Sequence, residues 1–130
     1  SYILTNNLSK SILMTGYLSR AEICSLYNKA FVYVFPSIEE GFGIPILEAF
    51  ALKTPVVTSN AAAMVEIADG AAQHYNAGNY TELFKTLTKL INSKSERTHL
   101  IEKGSERVKD FSREKFIKDY EQFILNSVKN

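Results

Sequence analysis

The chain has 130 residues, of which 45% are apolar and 22% charged, and its formal net charge is +1. This composition is typical of one soluble globular domain and excludes a disordered chain. The balance of 15 basic and 14 acidic residues gives no electrostatic footprint for nucleic acid or an anionic membrane. One cysteine and two separated histidines exclude an intrachain disulfide and a Cys/His metal cluster, so we predict no metal site.

The chain opens with a predicted strand and a predicted helix. Residues 11–15 (SILMT) form a short apolar run that suits a buried strand of a parallel sheet. Ser19 and Glu22 have the spacing of a capping box, which predicts a helix that continues to Ala30. This order is the first repeat of a strand–helix alternation.

A second strand and helix follow on either side of a glycine-containing loop. Residues 31–35 (FVYVF), closed by a proline, predict a central strand. The loop covers residues 37–44, and the next helix should begin at Pro45, the position that proline prefers, with Glu48 in its first turn. This strand–loop–helix unit is the most informative part of the sequence.

The rest of the chain adds one strong strand, one weak strand and several helices. Residues 55–58 predict a strand, residues 59–60 a polar turn, and residues 72–75 a weak strand after a short helix that ends at Gly70. Amphipathic helices are predicted over residues 83–91, over residues 96–111 and from residue 112 onward, the last with Phe116, Tyr120, Phe123 and Ile124 on one stripe. The sequence therefore predicts an α/β fold, a partial Rossmann-like parallel sheet flanked by helices and followed by C-terminal helices.

The segment 36–60 (PSIEEGFGIPILEAFALKTPVVTSN) carries the chemistry that the sequence offers. The unpaired N–H groups of a helix N-terminus bind phosphate, and Gly41 and Gly43 let a ligand approach the backbone. Because carboxylates repel phosphate, Glu40 and Glu48 should accept hydrogen bonds from sugar hydroxyls instead. A nucleotide sugar has hydroxyls at both ends and phosphates between them, which fits this order. A glycine turn before a helix with a dipole-paired acid is an equally good structural explanation.

The run Glu40-Gly-Phe-Gly-Ile-Pro-Ile-Leu-Glu48 resembles the signature of GT4-type retaining glycosyltransferases of the GT-B fold, which is an acid, seven residues and a second acid. The resemblance includes the Gly16-Tyr17 strand end and the strand that begins at Thr54, and it extends from about residue 11 to residue 90. It implies a donor-binding domain from the C-terminal part of such an enzyme.

The resemblance also implies a role for each site residue. Glu40 would reach the donor sugar and the reaction centre, and Glu48 would hold the ribose hydroxyls. Gly16 and Tyr17 would lie beside the nucleobase. The backbone that contacts the sugar hydroxyls and the diphosphate would comprise Gly41, Phe42, Gly43 and Ile44. Transfer in the family retains anomeric configuration by front-face departure of the diphosphate, uses no cofactor or essential metal, and depends on stabilising the leaving group.

The same resemblance implies that residues 1–130 form a single incomplete domain. In the family, two strands and an arginine–lysine pair precede the strand at residues 11–15, and residues 1–10 are too few to supply them. The N-terminal domain that binds the acceptor glycan or lipid is absent too. We therefore expect weak donor binding and no transferase activity from this chain alone. We also expect either a sheet that closes up differently or an open sheet edge that pairs with a second copy.

The parent enzyme would be a hexosyltransferase, with mannosyl transfer as one candidate, in polysaccharide or glycolipid biosynthesis. The family places it in the cytoplasm, free or peripheral at the inner face of a membrane, with no nucleic-acid partner. Two alternatives stay open: a non-catalytic sugar-nucleotide-binding or assembly module on the same half-fold, and another GT-B enzyme such as a phosphorylase or an epimerase. The upstream sequence would discriminate between them.

Overall fold

The computed structural model describes the backbone of residues 2–128, and within them three parallel strands form one sheet in the order β1-β2-β3. The strands are β1 (Tyr33–Phe35), β2 (Val56–Ser59) and β3 (Gln73–Tyr75). Val57 of β2 lies opposite Val34 of β1 and Gln73 of β3. Parallel neighbours need crossover connections, which helices supply here. The predicted α/β fold with a partial parallel sheet is confirmed.

Helices precede, connect and follow the strands. They are α1 (Tyr2–Thr5), α2 (Arg20–Lys29), α3 (Ile44–Ala51), α4 (Ala62–Ala68), α5 (Tyr80–Asn92), α6 (Lys94–Arg107) and α7 (Arg113–Val128), with a 3-10 turn at Val108–Phe111. None of the helices in the described chain is long and apolar enough to cross a bilayer. The side chains of residues 2, 120 and 123–128 lie outside the description, so the stripe predicted at Tyr120, Phe123 and Ile124 does too.

Helix α3 is seated in the main core. Its sequence is mostly apolar, and Ile46, Ala49 and Phe50 are buried there with Met64 of α4. Helix α6 covers the other side of α3 through Gly104, where an added Cβ would lie 2.6 Å from Phe50 Cδ1. Because packed interiors are dense, these contacts fix the N-terminus of α3 relative to the sheet.

The predicted strand at residues 11–15 is wrong. These residues are irregular, and Ile12, Leu13 and Met14 are 41%, 84% and 78% exposed. A strand needs a neighbour that satisfies its backbone groups, and the described sheet offers none to this segment. Consequently β1, predicted as a central strand over residues 31–35, is a shorter edge strand of the described sheet.

Two smaller predictions near the site also need correction. Ser59 is the fully buried last residue of β2, and the predicted turn begins after it. The first turn of α3 contains no acidic residue, because the helix begins at Ile44 and Glu48 falls in the second turn. The capping box of Ser19 and Glu22, by contrast, is present as predicted.

Candidate functional site

The loop between β1 and α3 ends in a glycine with a left-handed backbone. Gly43 is the N-cap of α3 with φ 85° and ψ 37°, a conformation that favours glycine. An added Cβ would lie 3.1 Å from Met64 Cε and 3.6 Å from Ile67 Cγ2 of α4. Gly41 has open space around it and needs no such conformation. The two glycines therefore differ: the fold requires Gly43, whereas Gly41 only leaves the surface open.

The N-terminus of α3 presents unpaired backbone N–H groups. No side chain caps this helix, and Pro45 has no N–H to donate. Ile46 donates its N–H to Gly43 O at 3.0 Å. Among residues 2–128, no protein acceptor takes the N–H of Gly43 or Ile44. These N–H groups lie at the positive end of the helix dipole and at the carboxyl edge of the sheet, where an anion is favoured.

The start of the loop is fixed by a buried hydroxyl of the central strand. Ser59, at the end of β2, donates its Oγ hydrogen bond to Ser37 O. Ser37 Oγ lies 3.1 Å from Glu39 O and 3.4 Å from Glu40 Oε1. Glu40 itself is exposed, so its carboxylate can meet a ligand above the loop. The buried end of β2 thereby positions the loop that carries the predicted catalytic acid.

The two acids of the motif flank a pair of tyrosines. The Tyr27 and Tyr33 rings make an edge contact with centroids 4.9 Å apart. The pKa of Tyr33 is raised, chiefly by burial and also by the charges of Glu48 and Glu40, although its hydrogen bond with Tyr27 acts in the opposite direction. Burial also raises the pKa of Tyr27, with smaller contributions from Tyr33 and Glu48. Both carboxylates thus lie within electrostatic range of the Tyr33 phenol, and in the described chain neither forms an ion pair.

Half-buried Glu48 faces a cavity of about 330 Å³ between α2 and α3. The lining residues are Arg20, Ile23, Cys24, Tyr27, Glu48, Ala51 and Leu52. The cavity therefore combines apolar walls with one guanidinium and one carboxylate, a composition that suits a small polar ring system.

The other predicted nucleotide contacts lie apart from this loop. Gly16 has φ +64°, and Tyr17 is fully exposed in the irregular segment before α2. Neither residue lines the cavity, although Arg20, three positions after Tyr17, does. The structure brings together the loop, Glu40 and Glu48 around the start of α3, whereas Gly16 and Tyr17 make no described contact with them.

Sequence reasoning missed three residues that shape the loop: Ser59, Tyr27 and Phe111. Ser59 falls in the predicted polar turn, although it directly follows the predicted strand at residues 55–58. The Tyr27 hydroxyl donates to Pro45 O at 3.4 Å, and Tyr27 lies within the helix predicted to follow Ser19. The Phe111 ring contacts Phe42 from the far end of the chain, and no local pattern indicates that contact.

Comparison with known proteins defines the class to which this fold and loop belong. The family model of glycosyl transferases group 1 matches residues 1–107. The C-terminal domain of a group 1 glycosyl transferase (LpcC) from Francisella tularensis superposes with a TM-score of 0.72 and 29% identity, over 83% of this chain and 57% of that one. The chain belongs to the group 1 glycosyl transferases, and its fold is that of the C-terminal domain of a GT-B enzyme.

Relatives of known name are longer than this chain. An O-antigen chain mannosyltransferase (RfbU) of Salmonella typhimurium is 46% identical over 69 residues, which cover 53% of this chain and 20% of that protein. A processive diacylglycerol alpha-glucosyltransferase of Acholeplasma laidlawii is 31% identical over 123 residues, covering 95% of this chain and 36% of that protein. The chain thus spans well under two thirds of the length of these relatives.

Proposed function

We propose that the chain provides the donor site of a glycosyltransferase that moves a sugar, with retention of configuration, from a nucleotide-diphosphate sugar to an acceptor. The observation that carries the proposal is the N-terminus of α3, where the N–H groups of Gly43 and Ile44 have no protein acceptor among the described residues. The exposed Glu40 precedes these donors in the chain, and the half-buried Glu48 follows them in α3. Membership of the group 1 family supports this proposal.

The proposed roles follow from charge and position. The diphosphate would accept hydrogen bonds from the loop backbone of Gly41, Phe42, Gly43 and Ile44, at the positive end of the helix dipole. During transfer the bond from the anomeric carbon to the diphosphate oxygen breaks, and negative charge grows on that oxygen. Preorganised N–H donors stabilise such charge more in the transition state than in the bound donor. The acceptor hydroxyl adds to the same face and gives its proton to the departing phosphate oxygen.

The two carboxylates would hold the two ends of the donor. Glu48, in the cavity beside α2, would accept hydrogen bonds from the ribose hydroxyls, and Glu40 would accept them from the transferred sugar. Gly16 and Tyr17 would lie near the base. Mannose is the favoured sugar, because several relatives are named as mannosyltransferases. Like those relatives, the active protein would be longer than this chain, residues 1–130 forming one incomplete domain with weak donor affinity and no activity alone.

The test is a titration followed by ¹⁵N chemical shifts, with GDP, UDP, GDP-mannose and UDP-glucose in parallel. We expect shifts clustered on residues 41–48. The substitution Glu48→Gln should raise the Kd of the nucleoside diphosphate about 10-fold or more, because it removes a charge-assisted hydrogen bond. Glu40→Gln should weaken only the added affinity of the nucleotide sugar over its diphosphate. Glu39→Gln, at an exposed neighbouring acid, is the matched control and should change neither.

Two results would contradict the proposal. An absence of shifts at millimolar nucleotide would mean that the chain does not form a donor site. Equal losses of nucleoside diphosphate affinity in Glu48→Gln and Glu39→Gln would mean that loop charge, rather than a specific ribose contact, governs binding.

A further inference from the structure

The ring of Phe42, near the end of the loop, is packed by a residue of the 3-10 turn that follows α6. The Phe42 and Phe111 rings meet edge to face, with centroids 5.9 Å apart and an interplanar angle of 83°. This geometry is favourable for an aromatic pair. Phe111 is the last residue of the 3-10 turn that follows α6, and it is 36% exposed, whereas Phe42 is 50% exposed. The contact therefore ties the loop to the C-terminal helices at the surface of the molecule.

Arg107 holds Phe111 in place from the other side. Its guanidinium lies over the Phe111 ring at 4.8 Å from the centroid, a favourable cation–π arrangement. The same group donates to Asp110 Oδ2 at 3.0 Å. The Arg107 side chain is only 20% exposed, so its position is well restricted. The 3-10 turn is thus fixed by the residue that precedes it.

Arg107 also fixes the helix on which the loop rests. Its Nε donates to Ile67 O at 3.0 Å and its Nη2 to Glu66 O at 2.9 Å. These carbonyls belong to the last turn of α4, where helix carbonyls lack intrahelical partners and a cation is favoured. Ile67 also lies beneath Gly43 at the end of the loop. One guanidinium therefore joins the support under Gly43 to the ring that packs on Phe42.

We propose that Phe111 is a positioning residue, which Arg107 holds against Phe42 so that the loop keeps its N–H groups aimed at the donor diphosphate. The proposal rests on the donor-site function proposed above. A half-exposed loop has few contacts of its own to restrict it, and a ring held from outside the loop supplies that restriction. Preorganised donors bind an anion better than mobile ones, because less order is lost on binding.

The first arm of the test needs no ligand. Heteronuclear ¹⁵N NOE values of the Gly41, Gly43 and Ile44 amides are measured in the chain and in Phe111→Leu. We expect a loss of order at these amides in Phe111→Leu and none in Phe84→Leu, a matched change at a residue of α5 that is 70% exposed. Unchanged loop amides in a folded Phe111→Leu variant would overturn the proposal.

The second arm measures nucleoside diphosphate affinity. We expect the Kd to rise about twofold to tenfold in Phe111→Leu, the range that an aromatic pair supports. Phe42→Leu should have a similar effect, and the double variant should be no worse than either single one. Losses of affinity that add up in the double variant would contradict the proposed coupling between the Phe42 and Phe111 rings. If Phe111→Leu does not fold, Phe42→Leu and Arg107→Gln must loosen the same amides, and stable amides in both would overturn the proposal.

The two arms separate the two proposals. If the chain binds no nucleotide, the donor-site function is contradicted, and the NOE values of the loop amides still show whether Phe111 restrains the loop. If the chain binds nucleotide equally well with and without the Phe111 ring, only the positioning role of Phe111 is contradicted.

Discussion

The two edges of the sheet, at β1 and at β3, lie beside similarly apolar segments, but these segments are buried at the β3 edge and largely exposed at the β1 edge. We call the β3 edge the packed side and the β1 edge the open side. At the β3 edge, Tyr75 is 3% exposed, and Leu90 of α5 and Leu100 of α6, which belong to the same buried cluster, are 0% and 3% exposed. At the β1 edge, Ile23 and Leu26 of α2 are 38% and 51% exposed around a cavity of about 250 Å³ that Tyr33 of β1 also lines, and Leu13, in the irregular segment before α2, is 84% exposed. Apolar character alone therefore does not decide burial, which depends on whether a neighbouring element is present to pack against.

The loop of the candidate site is held in place by buried residues of β2 and α4. Ser59 of β2 and Met64 of α4 fix the two ends of the loop from below. Gly16 and Tyr17 lie in the irregular and exposed segment that precedes α2. The difference explains why the part of the candidate site that is predicted to contact phosphate is more ordered by packing than the part predicted to contact the base.

The largest expected effect is a difference in stability between two leucine-to-alanine variants, one at the buried Leu90 and one at the exposed Leu13. Leu90→Ala should lower the free energy of unfolding by about 2–5 kcal/mol, because it removes a fully buried side chain and leaves a cavity. Leu13→Ala should change it by less than about 0.5 kcal/mol, since that side chain is exposed. Chemical denaturation of both variants checks the prediction.

A large loss of unfolding free energy in Leu13→Ala would contradict the comparison, because it would mean that this segment is buried in solution. Repeating the denaturation at several protein concentrations then identifies the cause. A concentration-dependent midpoint would support the predicted pairing of the open edge with a second copy. A monomer in light scattering with a costly Leu13→Ala would instead place the segment against its own chain.

A smaller effect is expected at the contact between α6 and α3. Gly104→Ala should destabilise the protein by about 1–2 kcal/mol, since a Cβ would meet the Phe50 ring and overpacking costs more than the roughly 1 kcal/mol that helix propensity returns. Phe50 is 2% exposed, so its ring has little room to move. Gly41→Ala, where no atom lies within 4 Å of the added Cβ, is the control and should be nearly neutral.

Thermal unfolding of the two glycine variants measures this effect. A stabilised Gly104→Ala variant would show that α6 does not press on α3 as closely as the structure describes. The packed side would then be looser than its exposure values indicate, and the contrast between the two sides of the sheet would weaken.

The features that could be predicted from the sequence are those that local chemistry determines. The capping box at Ser19 and the start of α3, predicted at Pro45 and observed at Ile44, depend on residues close together in the chain. The strand at residues 11–15 could not be judged locally, because a strand requires a partner elsewhere. The same holds for Phe111, whose contact with Phe42 joins distant parts of the chain through packing.

The smallest effect concerns Tyr27, the one residue of α2 that is buried on the open side. Burial raises its pKa above the ordinary value of about 10, so the unfolded chain loses this proton first as the pH rises. The stability associated with the neutral phenol is therefore complete below about pH 10 and is lost as the pH rises through the folded pKa. In Tyr27→Phe, the fall in unfolding free energy between about pH 9 and pH 11 should be shallower than in the parent chain. Tyr17→Phe, at a fully exposed position, should leave the slope unchanged. Equal slopes in all three proteins would mean that water reaches the Tyr27 phenol, and the open side of the sheet would then extend to the wall of the Glu48 cavity.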